Sequence, residues 1–206
     1  MNVLARAALI LTITATATTG LVSTASAQTV AHNDARGDVL AIELGSEHGP
    51  APEPVVAPDE TVGDILRTVV DHRLRKVVLS VKYVELDPAD PITHYVSMVT
   101  DESVRRDILV MPDPERPQGE LIVINGSGNG VPCIGLERRI DYTANTLRMV
   151  IPRGCLSAPR WVRVGVGATR FHEPHPHSAQ IFVDDANRDG SIGDAHPAYG
   201  VRVHRA

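Results

Sequence analysis

Lysine is scarce in this chain: Lys76 and Lys82 are the only two among 20 basic residues, and the rest are arginines. With 25 acidic residues the net charge is −5, so the chain lacks the positive field that draws proteins to nucleic acids or anionic membranes. Aromatic residues make up only 3% of the sequence, which leaves few flat rings for stacking against sugars. Chemistry-bearing motifs are missing too. There is no G-x-S-x-G nucleophile turn, and His172-Glu173 lacks the second histidine of a zinc-protease helix because position 176 is proline. The glycine-rich stretch 124–131 (INGSGNGV) lacks the trailing Lys-Ser/Thr of a phosphate-binding loop. No recognisable catalytic constellation is present and no catalytic residue is assigned, although the many histidines and acids leave a chance triad open. Fifteen prolines and sixteen glycines leave few windows for an amphipathic helix.

What is there begins with an export-type N-terminus. Arg6 precedes the apolar run Ala7 to Thr14, and a small-residue segment ends in Ala25-Ser26-Ala27, the A-x-A pattern that signal peptidases cleave. This run is shorter than the roughly 18 apolar residues a membrane helix needs, and no later run approaches that length. Cleavage after Ala27 leaves 179 residues starting at Gln28, with 19 basic against 25 acidic residues and a net charge of −6. The expected location is secreted or held at the cell envelope, with no transmembrane segment. In an oxidising compartment the two cysteines, Cys133 and Cys155, read as a disulfide.

Strands organise the rest. Over Val77 to Val84 the positions Val77, Leu79, Val81 and Tyr83 are apolar, while Ser80 and Lys82 fall between them. Similar runs span 38–42, 64–70, 92–99, 107–111, 120–124, 136–142, 147–151, 161–171, 179–183 and 201–204, bounded by Pro, Gly, Asn and Asp. The best helix candidate, 62–73, contains Thr68-Val69-Val70 and favours a strand. The expectation is an all-β chain folded as an antiparallel β-sandwich with one disulfide. Residues 28–36 read as an N-terminal tail, residues 37–206 as the sandwich, and the proline-rich acidic stretch 45–61 as an extended connection. The apolar faces of 136–142 and 147–151 share one side only if an even number of residues, such as Ala144-Asn145, joins them. That register leaves Cys133 and Cys155 one step out of alignment.

Two loops carry candidate ligands. Asp185, Asn187, Asp189 and Gly190 reproduce the D-x-[DN]-x-[DN]-G opening of a calcium loop, in which alternate side-chain oxygens converge on a hard cation. Ser191 would add its carbonyl. The closing Glu is replaced by His196, so Asp194 or Asp184 would have to substitute. The competing reading is an acidic turn between the last strands, with Asp189-Gly190 as a tight turn. The second loop holds His172, His175 and His177 within six residues, a density suited to zinc or copper; here the competing reading is an exposed loop with incidental histidines.

Three stretches carry a resemblance: 63–72 (GDILRTVVDH); Cys133 through Ile140-Asp141-Tyr142 to Cys155; and Pro159-Arg160-Trp161-Val162-Arg163-Val164 followed later by Val183-Asp184-Asp185. Together they resemble small secreted β-sandwich proteins of high-GC Gram-positive bacteria, similar to DOMON domains and family 9 carbohydrate-binding modules. The resemblance covers most of residues 37–206 and implies an exported, disulfide-linked sandwich. It brings no catalytic residue. The resulting expectation is a non-catalytic domain binding an unknown extracellular ligand or protein, with calcium as its one candidate cofactor. The alternatives are a carbohydrate-binding module and a histidine-based zinc or copper binder.

Overall fold

Alternating burial along the strands builds two sheets that face one another. The computed structural model describes residues 28–44, 53–175, 178–193 and 196–205, with no α-helix among them. The first strands are β1 (Gln28–Asn33), β2 (Leu40–Leu44), β3 (Val55–Val56), β4 (Ile65–His72), β5 (Lys76–Tyr83) and β6 (Thr93–Thr100). They continue with β7 (Arg105–Asp113), β8 (Arg116–Asn125), β9 (Glu137–Asp141) and β10 (Thr146–Pro152). The last are β11 (Trp161–His175), β12 (Ser178–Asp185) and β13 (Val203–His204). One five-stranded sheet runs β1-β4-β5-β10-β9, and an eight-stranded sheet runs β3-β2-β12-β11-β6-β7-β8 with β13 beside β11. All these strand pairs are antiparallel.

The core lies between the sheets. Leu79, Val81, Tyr83, Leu147, Met149 and Ile151 come from one side, and Val96, Met98, Ile108, Val110, Val164 and Val166 from the other. Inside it the Tyr83 hydroxyl meets Nδ1 of His94 at 2.8 Å, which satisfies two polar groups that burial would otherwise penalise. Burial also drives the His94 pKa down to about 3, so its ring is neutral.

The even loop length expected of the hairpin holds, although the loop has four residues and not the two of Ala144-Asn145. Four residues, Tyr142 to Asn145, join β9 and β10, an even number that sets Leu147 opposite Ile140 in the core. Continuing this ladder would bring Cys133 opposite Gly154, one residue short of its partner. A short 3-10 turn, Arg153–Leu156, takes up that step and the Cys133–Cys155 disulfide forms.

Two segments differ from the sequence reading. Gln28–Asn33, expected as a tail, pairs along its whole length with β4, although it is mostly exposed and only Val30 packs on the core. Its weak alternation of apolar residues hid a strand that backbone pairing holds. Within the proline-rich connection, Val55–Val56 forms a two-residue edge against β2. Arg170 fastens the segment that follows. It reaches Glu60 and Asp90 with its two terminal nitrogens and lies 4.5 Å from the Phe182 ring centroid.

The C-terminal segment 196–200 crosses β11 at Gly165 and Gly167. A Cβ on Gly165 would stand 2.6 Å from the Pro197 carbonyl oxygen, so only glycine admits this approach.

The disulfide closes a sequence separation of 22 residues at the end of the β9–β10 hairpin. Replacing both cysteines by serine is expected to lower unfolding free energy by about 3 kcal/mol, as urea denaturation would read it. An unchanged midpoint would mean that the hairpin's own packing constrains this segment.

Candidate metal centre

The chain crosses from one sheet to the other between β1 and β2, and this crossing gathers carboxylates. Asp34 follows β1, which belongs to the five-stranded sheet; Asp38 precedes β2, which belongs to the eight-stranded one. Between them Gly37 turns with φ +75°, where a Cβ would crowd the Pro58 carbonyl at 3.1 Å. Asp64 stands just before β4, Asp184 lies in β12, and Asp189 sits in the loop beyond. Oxygens of Asp34, Asp38 and Asp189 lie within 4.8 Å of one another, as do oxygens of Asp38, Asp64 and Asp184.

Backbone amides hold these side chains in place. Ala35 N donates to Asp34 Oδ1 at 3.1 Å, Gly37 N to Asp64 Oδ2 at 2.8 Å, and Gly190 N to Asp38 Oδ2 at 3.0 Å. Asp184 accepts from Ile65 N at 2.6 Å and from Asp185 N at 2.8 Å, so one carboxylate links the two sheets. One oxygen on each of Asp34, Asp38 and Asp64 is left buried without a hydrogen-bond partner. Among the described residues none of the five carboxylates has a salt bridge. Asp64 is 1% exposed, Asp184 3% and Asp38 9%.

Such an arrangement is unstable as bare charge. Two carboxylates about 5 Å apart repel by roughly 3 kcal/mol at an effective dielectric near 20, and each buried oxygen without a partner adds a desolvation cost. Without a cation the centre answers with protons. Burial, reinforced by Asp184 and Asp38, pushes the Asp34 pKa up to about 8. Burial also pushes Asp184 up to about 7 against its backbone hydrogen bonds, and it raises Asp38 and Asp64. An all-oxygen set of this kind matches the donors that hard divalent cations prefer.

Comparison of the chain with protein-family models, curated proteins and solved structures found no match.

The structure distributes the expected calcium-loop residues between two tasks. Asp185 accepts from Asn187 N at 3.2 Å, from Ala198 N at 2.9 Å and from the Arg188 guanidinium at 2.7 Å. Asn187 donates its amide to the Ala198 carbonyl at 3.0 Å. These two residues thus clamp the 196–200 segment onto the sandwich. Asp189 joins Asp34 and Asp38 instead, through a turn in which Gly190 has φ +57°. Ser191 is exposed, and Asp194 lies outside the described residues. Asp34, Asp38 and Asp64 went unrecognised in sequence because their partners in the group come from distant parts of the chain. Their one local signal is the Asp34-Ala35-Arg36-Gly37-Asp38 turn.

His172 is half-buried, with its ring centroid 6.3 Å from that of Phe182, while His177 and the side chain of His175 lie outside the described residues. Beside the acidic centre a cavity of about 240 Å³ opens between Tyr95, Thr169, Arg188 and His196. A larger cleft of about 410 Å³ lies between β1 and β11, lined by Val30, His32, Arg163, Tyr199 and Val201.

The raised carboxyl values fix a sign. Folded Asp34 and Asp184 keep protons that their unfolded counterparts, titrating at 3.8, have lost, so stability without cation falls as pH rises toward 8. Below about pH 6.5 the buried His94 opposes this, because only the unfolded ring takes up a proton there. In chelator, the melting temperature should therefore drop between pH 6.5 and 8, with a shallower slope in Asp34→Asn. A flat or rising profile over that interval would contradict the proton-stabilised centre.

Proposed function

We propose that this protein is an exported, non-catalytic binding domain whose fold is completed by calcium at the Asp34–Asp38–Asp64–Asp184–Asp189 centre. The carrying observation is the set of three buried carboxylate oxygens, on Asp34, Asp38 and Asp64, that no donor among the described residues satisfies. Calcium suits them better than zinc because every donor is a carboxylate oxygen, and better than magnesium because magnesium keeps most of its water and takes only one or two carboxylates. Export is supported by the Arg6, apolar-run and Ala25-Ser26-Ala27 pattern and by the Cys133–Cys155 disulfide. Millimolar calcium outside cells would keep even a modest site filled. The 410 Å³ cleft between β1 and β11 offers a concave surface for a small ligand. A sugar-stacking role gains no support from Tyr83, which is buried in the core, or from Trp161, whose face Arg202 covers at 4.6 Å.

Thermal unfolding of the purified exported protein in EDTA, calcium or zinc tests this. Calcium at 100 times its Kd stabilises by about 2.7 kcal/mol, which raises the midpoint of a domain this size by several degrees. The rise should vanish in Asp64→Asn. A rise with zinc alone would move the metal to the histidines, and no rise with calcium would remove the proposal.

A further inference from the structure

The five carboxylates fall into two overlapping groups of three. Asp34, Asp38 and Asp189 make the outer group, with Asp189 exposed and Asp34 half-buried; Asp38, Asp64 and Asp184 make the inner one. Ligand oxygens about 2.4 Å from one calcium can stand at most about 5 Å apart. Each group of three meets that limit, and Asp38 is the member they share. Each group also carries its own buried oxygen without a partner, Asp34 Oδ2 in the outer and Asp64 Oδ1 in the inner, besides Asp38 Oδ1 between them. Asp64 is 99% buried by its 1% exposure and Asp38 is 91% buried, so these are interior groups and not a solvated acidic patch.

Charge balance points the same way. Five ionised carboxylates carry five negative charges, and among the described residues no arginine, lysine or histidine pairs with any of them. One divalent cation would leave three of those charges uncompensated at the seam between the sheets. Two would leave one, with Arg36 close enough to act on Asp64.

We infer that the centre holds two divalent cations side by side, bridged by the Asp38 carboxylate. This rests on the reading of the centre as a calcium site and specifies its stoichiometry. The inner cation joins the start of β4 to β12 and so ties one sheet to the other. The outer one fastens the end of β1 and the 186–193 loop onto Asp38. The inner position is buried and binds more tightly, while the outer exchanges with external calcium.

Isothermal titration of chelator-stripped, purified exported protein with calcium chloride tests the inference. Two calcium ions per chain are expected, the second binding more weakly. Asp189→Asn alters only an exposed side chain, so it should reduce the count to one and keep the tighter event. Asp38→Asn should weaken both. Far-ultraviolet circular dichroism checks that each variant remains folded. One ion per wild-type chain, with Asp189→Asn unchanged from wild type, would overturn the paired site and leave the single-calcium reading standing. No bound calcium in the wild type would overturn both.

Discussion

Carboxylates that a fold forces together must be neutralised, and in this protein that constraint sits at the seam where the chain passes from one sheet to the other. The crossing between Asp34 and Asp38, the approach to β4 at Asp64 and the end of β12 at Asp184 meet there, and among the described residues none of these carboxylates has a salt bridge. Whatever supplies the positive charge, proton or cation, also decides how firmly the two sheets and β1 hold together at this end. Asp184 makes the dependence direct, since it lies on β12 and accepts from the Ile65 amide of β4.

The surrounding structure is arranged to keep those oxygens in place. Backbone amides of Ala35, Gly37, Ile65, Asp185 and Gly190 each take one carboxylate oxygen, which fixes orientation without neutralising charge. Gly37 and Gly190 supply the positive-φ turns that aim two of those amides. Asp185 and Asn187 hold the C-terminal segment down across Gly165, and Arg170 fastens the connection leading toward Asp64 through Glu60. Elsewhere the sandwich follows from ordinary burial. β1 is the exception: it buries little apolar surface, so the acidic centre at its end matters more to it than to any core strand.

Period-two alternation made the architecture legible in the sequence, because each core strand must put one face inside; β5 and the β9–β10 hairpin show this residue by residue. The disulfide was legible from cysteine count and the expectation of export, although the 3-10 turn that lets it close was not. β1 was hidden because an edge strand held by backbone pairing leaves little side-chain pattern. The candidate centre was legible only in part. The Asp185-to-Gly190 spacing contains one member of the acidic group, Asp189, but a linear motif assumes that neighbours in sequence share one ion. Here Asp185 faces Arg188 and Ala198, and the partners of Asp189 come from more than 150 residues earlier, as the Gly190-to-Asp38 hydrogen bond shows with its separation of 152. Long-range convergence of this kind leaves no local signal.

A crystal structure of the protein grown in millimolar calcium, with anomalous scattering recorded at long wavelength, would test the central claim most directly. The account predicts anomalous density among Asp34, Asp38, Asp64, Asp184 and Asp189, within about 2.3–2.6 Å of the oxygens that lack protein donors. An ordered centre with no anomalous density, its carboxyls hydrogen-bonded to one another through shared protons or water, would contradict it.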